Sequence, residues 1–241
     1  MTAVDAAGDR MVPLLVTARM ATGVVTAHPW GIALDGILAA QLWAQIVDTT
    51  PADQVAWPST TPVPPDLDLP VARCTVAGAD LWHWASTCSH ASLVETQVGY
   101  RYQPAPGALM ESYTAAMPAS INPGTRWSRR EVPHLARVTQ ELTWRAVGDP
   151  TRIRSLLEPV TAIGKGRHHG EGRVLSWTVT EHPDADPWAY SHLHITGHLG
   201  RPTPPACLPD DLVANHPPML AGLRPPAMHP SRQHHLCTPT P

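Results

Sequence analysis

Proline sets the joints of this chain. It lacks the amide donor that helices and sheets use and it fixes φ, so it is confined to edges, first turns and connectors. Twenty-eight of the 241 residues are proline. Five of them fall between Pro58 and Pro70, which predicts a stiff extended connector outside any core element. Eleven fall between Arg201 and Pro241, a stretch with no Phe, Trp or Tyr. Such a stretch can hardly pack a domain of its own. The expected division is therefore a domain over residues 1–200 and a proline-rich tail or strap over residues 201–241. No internal repeat is visible, which excludes solenoids and propellers.

The length suits one large domain with an appendage, enough to bury a sizeable core. Apolar runs stop well short of the roughly 20 residues that span a bilayer, so no membrane partner is expected. Met1 to Val16 lacks the basic start and apolar stretch of a secretory signal, which makes the cytoplasm the expected compartment. Cys74, Cys88, Cys207 and Cys237 form no C-x-x-C pair, so they are expected to be reduced thiols, with neither a zinc ribbon nor a disulfide framework. No cofactor and no metal is expected.

Periodicity supplies the elements. Val12–Ala18 reads as a buried strand, with Pro13 tolerable near its start. Leu34, Ile37, Leu38, Leu42 and Ile46 recur at helical spacing and predict a first helix. Strands are expected at Arg73–Val76, at Leu93–Tyr102 and at Thr139–Val147, the last with Leu142 and Trp144 on opposite faces. Asp149 can cap a second helix whose first position is Pro150 and which runs to about Glu158. Arg173–Glu181 alternates Leu175, Trp177 and Val179 with Ser176, Thr178 and Thr180, as a half-buried strand does. This order fits an α+β, ferredoxin-like βαββαβ sheet with insertions, the architecture of RNA-recognition folds, with one face covered by helices and the other free to bind.

The charges are unevenly placed. Between Gly124 and Arg173 there are ten Arg or Lys against five Asp or Glu, whereas the remainder holds seven against fifteen. The single lysine, Lys165, lies within the most glycine-dense stretch, Gly164-Lys165-Gly166-Arg167-His168-His169-Gly170-Glu171-Gly172-Arg173. Glycines let a backbone turn sharply and approach an anion closely. Lys165, Arg167 and Arg173 add fixed charge, and His168 and His169 add donors, so a phosphodiester backbone suits the loop. The spacing fits neither a P-loop nor a dinucleotide fingerprint. Arg126, Arg129 and Arg130 are expected nearby on an exposed loop, where Trp127 either stacks on a splayed base or anchors the loop.

The stretches Ile163–Arg167 and Gly170–Val174, followed by Trp177, resemble the most specific region of the CRISPR-associated RAMP proteins, and among them the Cas-five-like subunit of type IV systems, the third Csf family. Leu34–Ala39 is similar to that family's first-helix signature, Trp84-Ala85-Ser86 to a short middle motif, and Arg224-Pro225-Pro226 to a C-terminal segment. Ala227 and Met228 stand where the family has an aromatic pair. The resemblance implies a ferredoxin-like fold and a non-catalytic subunit that grips the 5′ handle of a CRISPR RNA. It also implies that the subunit caps a filament of Cas-seven-like subunits beside a large subunit, with contact to target DNA left open.

Two enzymatic alternatives stand beside it. One is metal-independent processing of precursor CRISPR RNA by a ribose 2′-hydroxyl attack, with His168, His169 and Tyr100 as proton-transfer candidates, and Lys165, Tyr102 and His28 behind them. The other rests on His90-Ala91-Ser92 and His194-Ile195-Thr196, which fit the paired H-x-[ST] pattern of 2H phosphoesterases. His192, His194 and His198 have no carboxylate or cysteine at ligand spacing, so a surface strand is expected there.

Overall fold

A computed structural model describes residues 3–5, 10–51, 53–55, 61–76, 79–91, 94–103 and 130–239, with backbone only for 3–5, 101–103 and 130–132. In chain order the strands are β1 (Ala3–Asp5), β2 (Val12–Met20), β3 (Arg73–Thr75), β4 (Trp82–Trp84), β5 (Glu95–Gln103), β6 (Arg130–Val138), β7 (Glu141–Gly148), β8 (Val174–Glu181), β9 (Pro218–Gly222) and β10 (Gln233–Cys237). Among the described residues the helices are α1 (Leu34–Thr49), α2 (Pro150–Leu157), α3 (Pro187–His192) and α4 (Asp210–Asn215). The architecture is α+β, with antiparallel sheets and few helices.

The central sheet runs β7-β2-β8, antiparallel on both sides of β2. Its core rows follow the register: Val16 lies between Trp144 and Val179, and Ala18 between Leu142 and Trp177. Leu34 and Leu38 of α1 and Ile153 and Leu157 of α2 belong to the same core and are fully buried. Each such side chain contributes about 1.5–3 kcal/mol on leaving water. Trp144 and Trp177 reach backbone acceptors through their indole N–H groups, on Ile32 O at 2.7 Å and Val160 O at 2.8 Å, so neither ring is buried with an unmet donor.

Leu142 and Trp144 share one face, against the expectation that they oppose each other, because side chains two apart on a strand point the same way. Leu175 is exposed although it was expected inward with Trp177 and Val179. A bulge explains this: the pairing shifts between Arg19 and Met20, so Val174 takes the inward place. The start of α2 is as the sequence predicts. The Asp149 carboxylate accepts from Thr151 N at 2.8 Å and Arg152 N at 3.1 Å.

On the free edge of β7, residues 85–90 pair irregularly, with antiparallel bridges at Ser86–Ala146 and His90–Thr143. The other face of the central sheet is partly covered: Arg145, which alternates with Trp144 and Ala146, places its guanidinium 4.5 Å from the Tyr190 ring of α3. Residues 192–198, expected as a surface strand, instead end α3 and form a turn in which His192 and His194 are buried. Among the described residues no helix is long and apolar enough to cross a membrane.

The two proline-rich segments hold one another. Asp66, in the first, accepts from Arg224 at 3.0 Å and Arg232 at 2.7 Å in the second, and Arg232 also donates to Pro64 O at 2.6 Å. β9 and β10 pair beyond them, burying Ala221, Leu223 and Leu236. The deepest link is Arg201. Its guanidinium donates to the carbonyls of Trp84, of Ser86 at 2.8 Å and of Leu223 at 2.8 Å, and pairs with Asp35 at 3.4 Å, both side chains being almost wholly buried.

Candidate nucleic-acid interface

The glycine-rich loop begins after α2 and ends at β8. It is pinned at its base and open at its tip. Lys165 N donates to Val25 O at 2.7 Å, Gly172 N to Gly23 O at 2.8 Å, and Ile163 N to Gly172 O at 2.9 Å. The Thr22 hydroxyl donates to Gly170 O at 3.0 Å and accepts from Arg173 N at 2.9 Å. All four glycines take left-handed φ, between 67° and 88°. A single turn of 3-10 helix, Arg167–His169, forms the tip.

Lys165, Arg167, His168, His169 and Arg173 are exposed. The loop's acid, Glu171, accepts a bond from His134 of β6 at 3.1 Å. Among the described residues no carboxylate pairs with Lys165, Arg167 or Arg173. The loop therefore presents uncompensated positive charge on an anchored frame, which is what a phosphate backbone selects. The backbone is partly self-sealed: the amides of Lys165, His169, Gly170, Glu171, Gly172 and Arg173 are used within the protein. An anion at this loop would meet side chains more than the bare amides the glycine count suggests.

The remaining candidates are dispersed. Arg126, Trp127 and Arg129 lie outside the described residues. Arg130 does not sit in a loop; it opens β6. Tyr100 is exposed on β5, whose neighbour Gly99 lies opposite His134, so the β5–β6 hairpin and the glycine loop meet through the His134–Glu171 bond. His28 stacks on Trp30 at 4.7 Å.

His90 and His194, far apart in sequence, come together with ring centroids 4.9 Å apart. They face an open cavity of about 610 Å³ also lined by His198, Thr196 and Arg137. Burial pushes the His194 imidazole down to about 4, and burial together with His198 lowers that of His90. Both rings are thus neutral at pH 7. Ser92 lies outside the described residues.

A cluster that spacing did not reveal is assembled by the fold. Cys74 of β3, His83 of β4, His192 of α3 and Cys207 are all buried, with their donor atoms within 4.8 Å of one another. The Cys207 thiol donates toward Cys74, which draws Cys74 down, toward thiolate, and holds Cys207 protonated. The four residues come from four elements, so no local motif announces them. The available signals were the buried-looking Trp82-His83-Trp84 run and two cysteines with no partner nearby in sequence.

The chain matches no model of a known protein family, and no curated protein matches it.

Proposed function

We propose that this chain is a non-catalytic RNA-binding subunit of a type IV CRISPR ribonucleoprotein, which holds the 5′ handle of the guide on the glycine-rich loop. One observation carries the reading: an anchored, exposed loop whose three fixed cations have no acidic partner among the described residues. The topology supports it. β2 lies between β7 and β8, α1 follows β2, α2 joins β7 to β8, and residues 85–90 run beside β7. These relations are compatible with a ferredoxin-like βαββαβ order and support the reading, with residues 85–90 in the place expected of the strands at Arg73 and Glu95, which pair in other sheets. Three of the shorter segments that carry the resemblance also converge: Asp35, Trp84, Ser86 and Leu223, which precedes Arg224-Pro225-Pro226, all contact Arg201. In this reading the partners are CRISPR RNA, a Cas-seven-like backbone subunit and a large subunit, and the setting is the cytoplasm.

The triple change Lys165→Ala, Arg167→Ala and Arg173→Ala tests it. Affinity for repeat RNA is expected to fall at least tenfold at low salt, and the slope of log K against log salt to flatten by about 0.7 for each lost contact on a single strand. Unchanged affinity and slope across a salt series would remove the loop from the interface.

A second reading is favoured by the approach of His90 to His194: phosphoester chemistry in the cavity they share, where a neutral imidazole can take the proton of an attacking hydroxyl. Incubating the protein with repeat RNA and with a 2′,3′-cyclic phosphate, in chelator, separates the readings. The binder leaves both intact. Cyclic-phosphate turnover lost in both His90→Ala and His194→Ala establishes the second reading, while a discrete RNA product lost in His168→Ala or His169→Ala establishes processing at the loop.

A further inference from the structure

We infer that Cys74, His83, His192 and Cys207 form a structural zinc site that fastens the proline-rich C-terminal segment to the domain. The inference does not depend on RNA binding. Two thiols and two imidazoles are the donor set that tetrahedral zinc takes in closed sites, whereas magnesium and calcium need oxygen. No carboxylate belongs to the cluster and every member is buried, so the set is complete without a solvent position, as structural sites are and catalytic ones are not.

The geometry points the donors inward. His192 Nδ1 lies 2.8 Å from Trp188 O, and His83 Nδ1 lies 3.0 Å from Trp84 O. Each Nδ1–H is thereby held by a backbone carbonyl, which fixes the tautomer whose Nε2 carries the free lone pair. His192 Nε2 is 3.5 Å from Cys74 Sγ. With Zn–S near 2.3 Å and Zn–N near 2.0 Å, the sulfur–nitrogen edge of a zinc tetrahedron is also about 3.5 Å. His83 Nε2 is buried and has no hydrogen-bond partner among the described residues. An orphaned buried nitrogen costs stability unless something binds it, and a metal ion does. The two imidazoles stand edge to face, with centroids 5.2 Å apart and planes at 83°, so they approach a common point from different directions.

The site also answers a need of the fold. Cys207 closes a short 3-10 turn, Pro205–Cys207, at the start of the aromatic-free segment. The segment's own apolar clusters are small. A metal joining this turn to β3, β4 and α3 restrains a stretch that has little core of its own.

The test uses the full chain purified under reducing conditions without added chelator. Elemental analysis is expected to find one zinc ion per chain. After removal of the metal, titration with cobalt(II) is expected to give the intense visible bands of a tetrahedral ion and a sulfur-to-cobalt charge-transfer band, saturating at one equivalent. Cys74→Ser and Cys207→Ser should each lose the charge-transfer intensity, while Cys88→Ser and Cys237→Ser should keep it. Because the first two variants lose a buried ligand and can fail to fold, a readout on the unaltered protein stands beside them: a thiol-specific mercurial should release zinc to a chromophoric chelator in step with thiol modification. Wild-type protein that holds no zinc and gives no tetrahedral cobalt spectrum overturns the inference. A Cys74–Cys207 disulfide in freshly isolated protein, or an undiminished cobalt spectrum in the folded Cys74→Ser variant, overturns it equally.

Discussion

Replacing Arg201 with leucine is expected to destabilise the protein by about 3–5 kcal/mol, since removing one partner of a buried pair leaves the other charge uncompensated. In a chain of this size that lowers the melting temperature by roughly 10 °C. The loss goes beyond one ion pair, because the guanidinium also satisfies the carbonyls of Trp84, Ser86 and Leu223. Those acceptors belong to β4, to the strand-like segment beside β7 and to the C-terminal segment, so three parts of the chain lose a common donor. The effect should depend on pH with a definite sign. Burial raises the Asp35 carboxyl above its usual range, and Arg201 opposes that rise. Without Arg201 the rise is larger. A carboxyl whose folded pKa is raised contributes stability that is present below its unfolded value, about 3.9, and is lost as pH climbs through the folded value. The gap between wild type and Arg201→Leu should therefore be narrow near pH 4 and widen toward neutrality. Adding Asp35→Asn to Arg201→Leu should recover part of the loss at pH 7, because the charge left behind is gone. Denaturant titrations at several pH values measure all of this; a gap that does not change with pH would mean that Asp35 is not the group left uncompensated.

Gly172→Ala is expected to cost more than about 3 kcal/mol, whereas Gly170→Ala, two residues away, should cost only about 1–2. Both glycines have left-handed φ, 67° at Gly172 and 88° at Gly170. The difference is in their surroundings. A methyl group at Gly172 would come within 1.9 Å of Ile163 O, the carbonyl of the very residue whose amide bonds to Gly172 O. At Gly170 the same methyl meets nothing within 4 Å. Gly172 closes the base of the loop, and Gly170 only lets its tip turn. Urea midpoints for the two variants should therefore separate clearly, and limited proteolysis should open the loop in Gly172→Ala alone. Equal midpoints would show that the base of the loop is not packed as described. The pair also guards the RNA experiment, because a loop that has lost its base would lose affinity for a reason unrelated to charge.

Local physics is what the amino-acid order could settle unaided. The stripe Leu34, Ile37 and Leu38, the cap at Asp149 before Pro150, and the alternation around Trp177 each depend on neighbours within a few positions, and each produced the element expected of it. The exposure of the glycine-rich loop was legible for the same reason: four glycines among fixed charges cannot form a core. Long-range geometry was not. The bulge at Arg19–Met20 that turned Leu175 outward depends on the partner strand, the meeting of His90 with His194 on a turn that the spacing read as a strand, and the assembly of Cys74, His83, His192 and Cys207 on four separate elements. Only folding brings such groups together. Periodicity reports what a residue does relative to those beside it in the chain, whereas a buried guanidinium or a four-donor cluster is defined by distances across the core, for which sequence separation carries no information.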